Sequence, residues 1–544
     1  MDSTMTESAG GEQLPTRPEQ KSKIAVWLDR AILFWLFAFA VFAPHSIAAT
    51  QISWMCGMLF WVVRFLFRPR PRLSRTPLDY ALLGFFILTI ISSLFSYDQA
   101  ISIGKLRAAS LFTIVYLFAE NVPSKRVVRL LAITLIASCM VNVFYTLGER
   151  VVGRGVKVEG VAANSPLRAS LFVREDRTED PTPIQDGDTL LELNGRPLHN
   201  PEELVTALDR AGAADSDFVL VKIYRVEWTP VLKIPRGRLL DGRTAEERLG
   251  IASWLRGRDW RAAGLYGHYT TYAEALQLIA SLALGLFISL RRWRSRNGLL
   301  LLIALAGLCS ALLLTVTRAS WLALLVSAFV IVIAGASRRT AIIIIACTLP
   351  LVLAGLFILQ QKRNVSFFDQ KDQSVVWRET VWREGFHLLT SSPRHLLVGV
   401  GMDSITNKRL QQKWGLFDNG RLPVGHMHST PLQLAVERGV PALLVWLLLI
   451  LLYARMLWRL AREKAEVGAL VERGILLGAL GGVAGFVTSG MVHYNFGDSE
   501  VVMIFYFIMG LCLAIADCGV RNEKRGVRTQ NTGHRRKTAR AFSF

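Results

Sequence analysis

The chain has 544 residues, of which 52% are hydrophobic and only 19% are charged. This composition excludes an ordinary soluble protein, because a bilayer-spanning helix needs about 20 mostly apolar residues and the chain holds many such runs. The formal net charge of +21 could suggest nucleic acid as a partner, but Lys and Arg collect in short loops between the apolar runs. The sequence therefore predicts an all-α polytopic membrane protein with membrane lipid, and no nucleic acid, as its partner.

The N-terminal stretch up to Gln20 is polar and partly acidic. It lacks the basic region and short apolar core of a signal peptide, so the first apolar run, near Ile24 to Ala43, is expected to remain as a membrane anchor. The cysteines lie in or beside apolar runs and show no paired spacing, so no metal site, disulfide framework or cofactor is predicted. They are Cys56, Cys139, Cys309, Cys347, Cys512 and Cys518.

Hydropathy predicts about twelve membrane-spanning helices. Their approximate ranges are 25–44, 50–66, 78–95, 104–119, 127–147, 268–290, 298–316, 319–336, 340–360, 430–457, 470–492 and 499–517. These spans divide the chain into seven segments. They are an N-terminal tail (1–23), helices 1–5 (24–147), a folded insert (150–240), helices 6–9 (261–360), a long loop (361–429), helices 10–12 (430–517) and a basic tail (518–544).

The short basic loops fall on alternate sides of these spans. The positive-inside rule places them in the cytoplasm, together with both chain termini. The two long loops, 148–267 and 361–429, then face the outer, periplasmic side. The basic tail from Arg521 to Arg540 is expected to lie along anionic lipid or to be disordered.

The first long loop contains a folded α/β unit. It shows short alternating strands, a turn at Asn194 and Gly195, and one amphipathic helix from about Pro201 to Arg210. The segments "VAANSPL" and "IQDGDTLLELNG" resemble a PDZ domain of the bacterial periplasmic type, over about Val156 to Ile234. An extra polar stretch between Ser170 and Pro183 departs from that family. The resemblance implies binding of an extended peptide at a sheet edge; a spacer or docking module without a peptide ligand is the alternative.

Arginines occur in segments predicted to face outward, where they are less expected than in cytoplasmic loops. Arg318 lies in the tight turn "TVTRASW", and Arg258 and Arg261 precede the next outer helix end in "GRDWRAAGLYGHYT", which also contains His268. Guanidinium groups bind phosphate oxygens bidentately and stay charged, so these residues are candidates to bind a pyrophosphate at the membrane surface. The alternative is that they snorkel to lipid headgroups.

Two histidines precede a predicted span in "GHMHSTPLQLAVERGVPALL". Ser429 or Thr430 is a good N-cap and Pro431 suits the first turn, so His428 would sit at the positive end of the helix dipole. That position lowers the pKa of an imidazole, and a neutral imidazole can accept a proton. His428 is therefore a candidate general base, and His426 is either a supporting partner or a neighbour without a role. An ordinary interfacial histidine is the alternative.

Four segments resemble, in order, those of the O-antigen ligase and polymerase superfamily. They are "RAAGLYGHYTTYAEAL", "TRASWLALL", "WREGFHLLTSSPRHLLVGVGMDSI" and "HMHSTPLQLAVERGVPALL". The resemblance implies a metal-independent, inverting glycosyltransferase that moves a glycan from undecaprenyl pyrophosphate to an acceptor hydroxyl on the periplasmic face. By motif, Arg261 and Arg318 resemble its pyrophosphate-binding arginines and His428 its base, with Arg258, His268 and His426 as candidate substrate-binding residues. Ser429 stands where many relatives have Asn, and the PDZ-like insert is not standard for the family.

The acceptor stays open at this stage. Lipid A-core (a ligase), the growing glycan (a polymerase) and a protein hydroxyl (a protein O-oligosaccharyltransferase) all require the same arginines and base. The insert favours a polymerase or ligase of an envelope polysaccharide that is guided by a protein partner. Two rival classes are a transporter of an anionic envelope precursor and a sensor in which the insert binds a peptide and the spans only anchor it.

Overall fold

The computed structural model describes residues 22–71, 73–173, 179–209, 217–225, 229–258, 260–336, 373–420, 422, 425–463 and 469–517. Most of these residues are helical. The helices are α1 (Lys23–Phe42), α2 (Ile47–Arg64), α3 (Asp79–Leu94), α4 (Gln99–Ala109), α5 (Thr113–Asn121), α6 (Lys125–Val152), α7 (Pro201–Asp209), α8 (Ala245–Leu249), α9 (Tyr269–Ile288), α10 (Arg296–Leu314), α11 (Arg318–Gly335), α12 (Gln373–Thr390), α13 (Pro393–Val398), α14 (Lys408–Trp414), α15 (Thr430–Glu463), α16 (Leu470–Gly490) and α17 (Ser499–Asp517).

Ten helical segments of the described chain are long and apolar enough to cross a membrane, with α4 and α5 counting as one kinked segment, Gln99–Asn121. This confirms the predicted polytopic membrane class. Eleven of the twelve predicted spans coincide with helices, although α3 is shorter than the rest. The remaining predicted span, 340–360, lies outside the described residues.

The most buried spans are α9, α16 and α17, and small residues allow α9 and α16 to pack closely. A Cβ atom built on Gly478 would lie 2.6 Å from the Cα of Leu282, so a larger residue there would push the two helices apart. Close backbone approach at small residues is a common way for helices to associate in a membrane, where burial in apolar surroundings supplies little difference in free energy.

Helix α15 is broken at Gly439, whose φ of +81° lies in the region that favours glycine. A Cβ atom at this position would lie 2.4 Å from the carbonyl oxygen of Leu397. Pro441 follows near the start of the second helical part, where its missing N–H leaves no helical hydrogen bond unmade. The break separates residues 430–438 from the long second part of the helix.

The inserted segment forms an antiparallel sheet. Its strands are β1 (Val156–Glu159), β2 (Leu171–Val173), β3 (Glu179–Pro181), β4 (Thr189–Leu193), β5 (Arg196–Pro197), β6 (Phe218–Tyr224), β7 (Val231–Pro235) and β8 (Ser253–Arg256). Their order is β3-β2-β7-β6-β4-β1-β8, and β5 pairs with β4. Asn194 and Gly195 make the predicted two-residue turn, with φ of 49° and 77°. The predicted helix is α7.

The sheet differs from the predicted unit at both of its outer strands. It extends past the expected limit at 240, because β8 pairs with β1 from Val156 opposite Arg256 to Glu159 opposite Ser253. The polar stretch after Ser170 contributes β2 and β3, which pair with each other. Strand β1 is thus paired on both sides, and the two outer strands of the described sheet are short, which disfavours addition of a peptide strand. The likeness to PDZ domains stays a prediction.

Candidate functional site

Hydrogen bonds between loops gather the candidate residues at one end of the helix bundle. The Ala262 N–H donates to the Leu314 carbonyl (3.0 Å), which joins the segment before α9 to the turn between α10 and α11. The Thr430 N–H donates to the His493 carbonyl (3.0 Å), which joins the start of α15 to the loop between α16 and α17. Two further contacts, His493 to Glu274 and Thr271 to Asp498, join the loop before α17 to the first turns of α9, so the four segments lie at one end of the bundle.

His428 has a φ of +47°, which is an uncommon backbone conformation for a residue other than glycine. Its N–H donates to Nδ1 of His426 (3.2 Å), and the two ring centroids are 4.2 Å apart. Met427, between them, is held from two sides. Its N–H donates to Oε1 of Gln433 (2.7 Å), and its carbonyl accepts from Nε1 of Trp382 (2.9 Å). The surrounding contacts therefore fix the strained segment.

His493 lies beside these two rings and was not among the predicted residues. Its Nδ1 is 3.0 Å from Oε1 of Glu274, which belongs to α9. Asp498, at the start of α17, accepts a hydrogen bond from the Thr271 hydroxyl (2.8 Å), also on α9. The loop between α16 and α17 is therefore attached by polar contacts to the first turns of α9.

Two of the predicted arginines lie on the segments that the Ala262–Leu314 hydrogen bond joins. The guanidinium carbon of Arg261 lies 4.5 Å from the ring centroid of Tyr269, and that ring stacks on His268 at 4.8 Å. Arg318 is the first residue of α11 and follows Val316, whose φ of +54° is strained for a β-branched side chain. Such strained residues cluster at functional sites, where the surrounding structure holds them in place.

The imidazoles of the site are held neutral. Burial lowers the pKa of His428 to about 3, and His426, Arg378 and His493 lower it further. Burial likewise lowers the pKa of His493 to about 3, with Arg378 as the next cause. The pKa of His426 falls to about 4 for the same primary reason. Burial is thus the main cause for His428, where the sequence suggested the helix dipole.

A fourth histidine, His268, and a second arginine, Arg261, belong to the same electrostatic environment. Burial lowers the pKa of His268, and His493 and Arg261 lower it further. Arg378, on α12, acts on both His428 and His493. Because such effects weaken with distance, they place Arg261 and Arg378 within reach of the histidine cluster, which we define as His268, His426, His428 and His493.

Arg258 stands apart from this cluster. It is exposed and follows β8, and no hydrogen bond or ion pair of the described residues connects it to the histidines. Arg318 belongs to the turn that the Ala262–Leu314 hydrogen bond joins to the segment containing Arg261. Across the same described residues, no group of three or more His, Cys, Asp or Glu side chains could hold a metal ion.

The fold and the site define a polytopic membrane protein with an imidazole and guanidinium cluster at one end of its helix bundle. Residues 302–447 match the model of the O-antigen ligase family, so the chain carries that domain and the predicted superfamily is confirmed. The matched region includes Arg318, Arg378 and His428, whereas Arg261 and His268 precede it. The family indicates glycosyltransferase activity that uses lipid-linked glycan donors and glycan or lipid acceptors. No curated protein matches the chain.

Proposed function

We propose that the protein is a metal-independent, inverting glycosyltransferase of the bacterial inner membrane. It moves a glycan from undecaprenyl pyrophosphate to an acceptor hydroxyl on the periplasmic face, with both chain termini in the cytoplasm. The observation that supports this most directly is the histidine cluster, in which the His428 N–H donates to Nδ1 of His426 (3.2 Å) and burial keeps the His428 imidazole neutral, with Arg378 and Arg261 acting on its members. A proton acceptor beside fixed cations suits a reaction that deprotonates a hydroxyl while a phosphate leaves.

The cations act on the leaving group. As the bond between the anomeric carbon and the pyrophosphate oxygen breaks, its electron pair stays on the lipid pyrophosphate and negative charge grows there. Arg261 and Arg318 stabilise that charge, and Arg378 adds a third guanidinium to the same region. Charges fixed before the reaction stabilise the transition state without reorganising, and removal of one such donor typically slows the reaction by about a hundredfold or more.

The imidazole acts on the acceptor. His428 takes the hydroxyl proton while the acceptor oxygen forms its bond to the anomeric carbon, and this single displacement inverts the configuration. A pKa of about 3 makes His428 a weak base, chiefly because the ring is buried. A pyrophosphate beside the ring compensates the part of this shift that comes from Arg378, and its negative charge raises the basicity of the ring. Binding of the donor thus makes His428 a stronger base for the reaction.

A reconstituted transfer assay with a lipid-linked donor tests the scheme. His428→Ala is expected to lower kcat by about 10²- to 10⁴-fold, the usual contribution of a general base. His428→Asn should do the same with less strain, because Asn tolerates a positive φ. Arg261→Ala and Arg318→Ala should each lower the rate by about a hundredfold or more. Wild-type turnover in His428→Asn or Arg318→Ala would remove that residue from the mechanism.

A matched control is Arg459→Ala, because Arg459 is 80% exposed near the far end of α15. Its loss should leave the transfer rate unchanged. Parallel reactions with lipid A-core, glycan and protein acceptors separate a ligase, a polymerase and a protein O-oligosaccharyltransferase, which share the proposed chemistry. Movement of the donor across the bilayer without a new glycosidic bond would instead indicate a transporter.

A further inference from the structure

A path of hydrogen bonds connects the turn that follows α13 to the backbone beside His428. The Asp403 N–H donates to Oε1 of Glu437 (2.8 Å), and Nε2 of Gln433 donates to the same oxygen (2.7 Å). On the other side of this amide, Oε1 of Gln433 accepts from the Met427 N–H (2.7 Å). Because Met427 directly precedes His428, this hydrogen-bond path ends next to the proposed base.

The roles of the atoms in this path follow from the backbone donor at its end. A main-chain N–H can only donate, so the Gln433 atom that meets Met427 is the amide oxygen. The amide nitrogen of Gln433 then faces Glu437 and donates to Oε1, which accepts a second bond from the Asp403 N–H. Oε2 of Glu437 has no hydrogen-bond partner among the described residues. The path therefore requires an oxygen acceptor at residue 437, but it does not require a negative charge there.

Both side chains of the path are fully buried. Gln433 and Glu437 are each 0% exposed in the first part of α15. The Met427 side chain is also 0% exposed and packs in a cluster with Val381 and Val436, between α12 and α15. A buried polar group that loses its partner is unfavourable, because its desolvation is no longer compensated. Each member of the path is therefore held in place by the others.

The break in α15 anchors the far end of the path. In a continuous helix the Glu437 carbonyl would accept from the residue four positions on, but Pro441 has no N–H. This carbonyl accepts instead from the Gly401 N–H (2.9 Å) and from the Ser92 hydroxyl (2.6 Å). The turn that supplies the Asp403 N–H is thus also attached to the backbone of Glu437, and the end of α3 holds the same carbonyl.

His428 needs such support because its backbone is strained, with a φ of +47°. Gln433 holds the N–H of Met427, and Nε1 of Trp382 holds its carbonyl (2.9 Å). The two peptide groups on either side of Met427 are therefore fixed, and with them the backbone from which the His428 ring projects. A displacement of about 1 Å in such a group can slow a reaction about a hundredfold.

We propose that Gln433 and Glu437 are positioning residues for His428, and that their hydrogen bonds hold the strained segment where the imidazole meets the acceptor hydroxyl. This inference rests on the proposed function, in which His428 is the base. Gln433 and Glu437 act through the Met427 backbone, and neither has to contact a substrate or exchange a proton. The hydrogen-bonding pattern at residue 437 therefore matters for catalysis, and its charge does not.

Glycosyl transfer by purified full-length variants in detergent tests this assignment. Gln433→Met keeps the side-chain length and removes both hydrogen bonds. It should lower kcat about tenfold to a hundredfold and leave KM for the donor unchanged, because the arginines proposed to bind the pyrophosphate are intact. Glu437→Met should act likewise, whereas Glu437→Gln keeps the oxygen acceptor and should recover most of the lost rate. The matched control Gln412→Met should leave kcat unchanged, since Gln412 is exposed on α14.

Variants of nearly unchanged size cover the case in which the methionine variants fail to fold. Gln433→Glu can accept from the Met427 N–H but has no N–H to donate to Glu437, so kcat should fall. Addition of Glu437→Gln to Gln433→Glu supplies the missing donor and should recover part of the rate. Equal kcat values of Gln433→Glu and the wild type would overturn the proposal. A single Glu437→Gln variant as slow as Gln433→Glu would also overturn it, because the charge at residue 437 would then matter.

The Trp382 indole separates a failure of this inference from a failure of the proposed function. Its Nε1–H donates to the Met427 carbonyl, so its NMR resonance, assigned with Trp382→Phe, follows that carbonyl without any substrate. Gln433→Glu should shift this resonance and Gln412→Met should not. An unshifted resonance in Gln433→Glu would overturn the positioning role while the wild type still transfers glycan. A shifted resonance together with a wild type that transfers no glycan would overturn the proposed function, and with it any role of the path in catalysis.

Discussion

His493 and Glu274 form a buried pair that links the loop before α17 to the first turns of α9. Nδ1 of His493 lies 3.0 Å from Oε1 of Glu274, and their side chains are 11% and 2% exposed. The ring of His493 is neutral, so one of its nitrogens carries a proton and the other can accept one, and the bond at Nδ1 fixes the orientation of the ring. The pair therefore orients a second imidazole beside His428.

The first prediction concerns this pair. Glu274→Ala should leave the buried Nδ1 of His493 without a hydrogen-bond partner and lower the free energy of unfolding by about 1–3 kcal/mol. Glu274→Gln retains an amide that can donate or accept at nearly the same position and should recover most of that loss. Denaturant unfolding in detergent measures both variants. The exposed Glu379 provides the control, since Glu379→Ala should change stability by less than about 0.5 kcal/mol. Wild-type stability of Glu274→Ala would show that the pair contributes nothing.

The second prediction is a loss of stability in mild acid. The pKa values of His426 and His428 are about 4 and about 3 in the folded protein, below the value of about 6.5 expected in the unfolded chain. As the pH falls from 6.5 toward 4, the unfolded state therefore takes up protons that the folded state does not. The contribution of these two rings to the free energy of unfolding is therefore fully present above pH 6.5 and declines through this window. These two rings should therefore lower the apparent Tm between pH 7 and pH 5, whereas Asp498, whose pKa burial raises to about 7, acts in the opposite direction.

The variants for this measurement keep the fold and remove the titrating rings. His426→Asn and His428→Asn should each flatten the decline of Tm with acid, because one fewer group binds protons on unfolding. His199→Asn, in the sheet domain, is the matched control, since its side chain is 60% exposed. A decline that is equally steep in all three variants would assign the acid sensitivity to other groups.

The membrane helices could be predicted from sequence because the signal is local. A run of about 20 apolar residues specifies a span without reference to any other part of the chain. The turn at Asn194 and Gly195 is local in the same way. The pairing of β8 with β1 is not a local feature. Ser253 and Glu159 are brought together by the intervening sheet and not by their own sequence pattern.

The candidate site likewise contains residues that a local sequence signal could predict and residues that it could not. Arg261, Arg318 and His428 stood out because each is a polar residue next to the predicted outer end of a span. Glu274 and His493 are 219 residues apart, and only the packing of α9 against α16 and α17 joins them. A carboxyl group within an apolar span was nevertheless a usable signal, since such residues are rare in membranes and usually have a partner.

The third prediction concerns the closure of the sheet by β8. Leu249, 1% exposed, lies on α8 just before β8 and packs in the core of the sheet domain. Leu249→Ala should destabilise this core by about 2–5 kcal/mol and loosen the pairing of β8 with β1. Limited trypsin digestion, read by mass spectrometry, should then cut faster after Arg256 and Arg258. Leu220→Ala is the control, because Leu220 is 45% exposed on β6. Equal cleavage rates for the two variants would show that β8 is held without the core contact.

The last prediction concerns the break in α15, on which the positions of both Arg438 and the start of the helix depend. Gly439→Ala places a side chain at a φ of +81° and brings its Cβ to 2.4 Å from the Leu397 carbonyl oxygen. The left-handed conformation alone costs roughly 1–2 kcal/mol for a residue with a Cβ atom, and the contact with a backbone atom adds to it. We expect unfolding in denaturant to show a loss of at least about 2 kcal/mol.

Gly104→Ala is the matched control, because Gly104 has an ordinary helical conformation. A Cβ atom at Gly104 meets nothing within 4 Å, and the residue lies within α4. Alanine is the better helix former by up to about 1 kcal/mol, so this variant should be neutral or slightly more stable. If Gly439→Ala were as stable as Gly104→Ala, α15 would have to continue past residue 439 without a break.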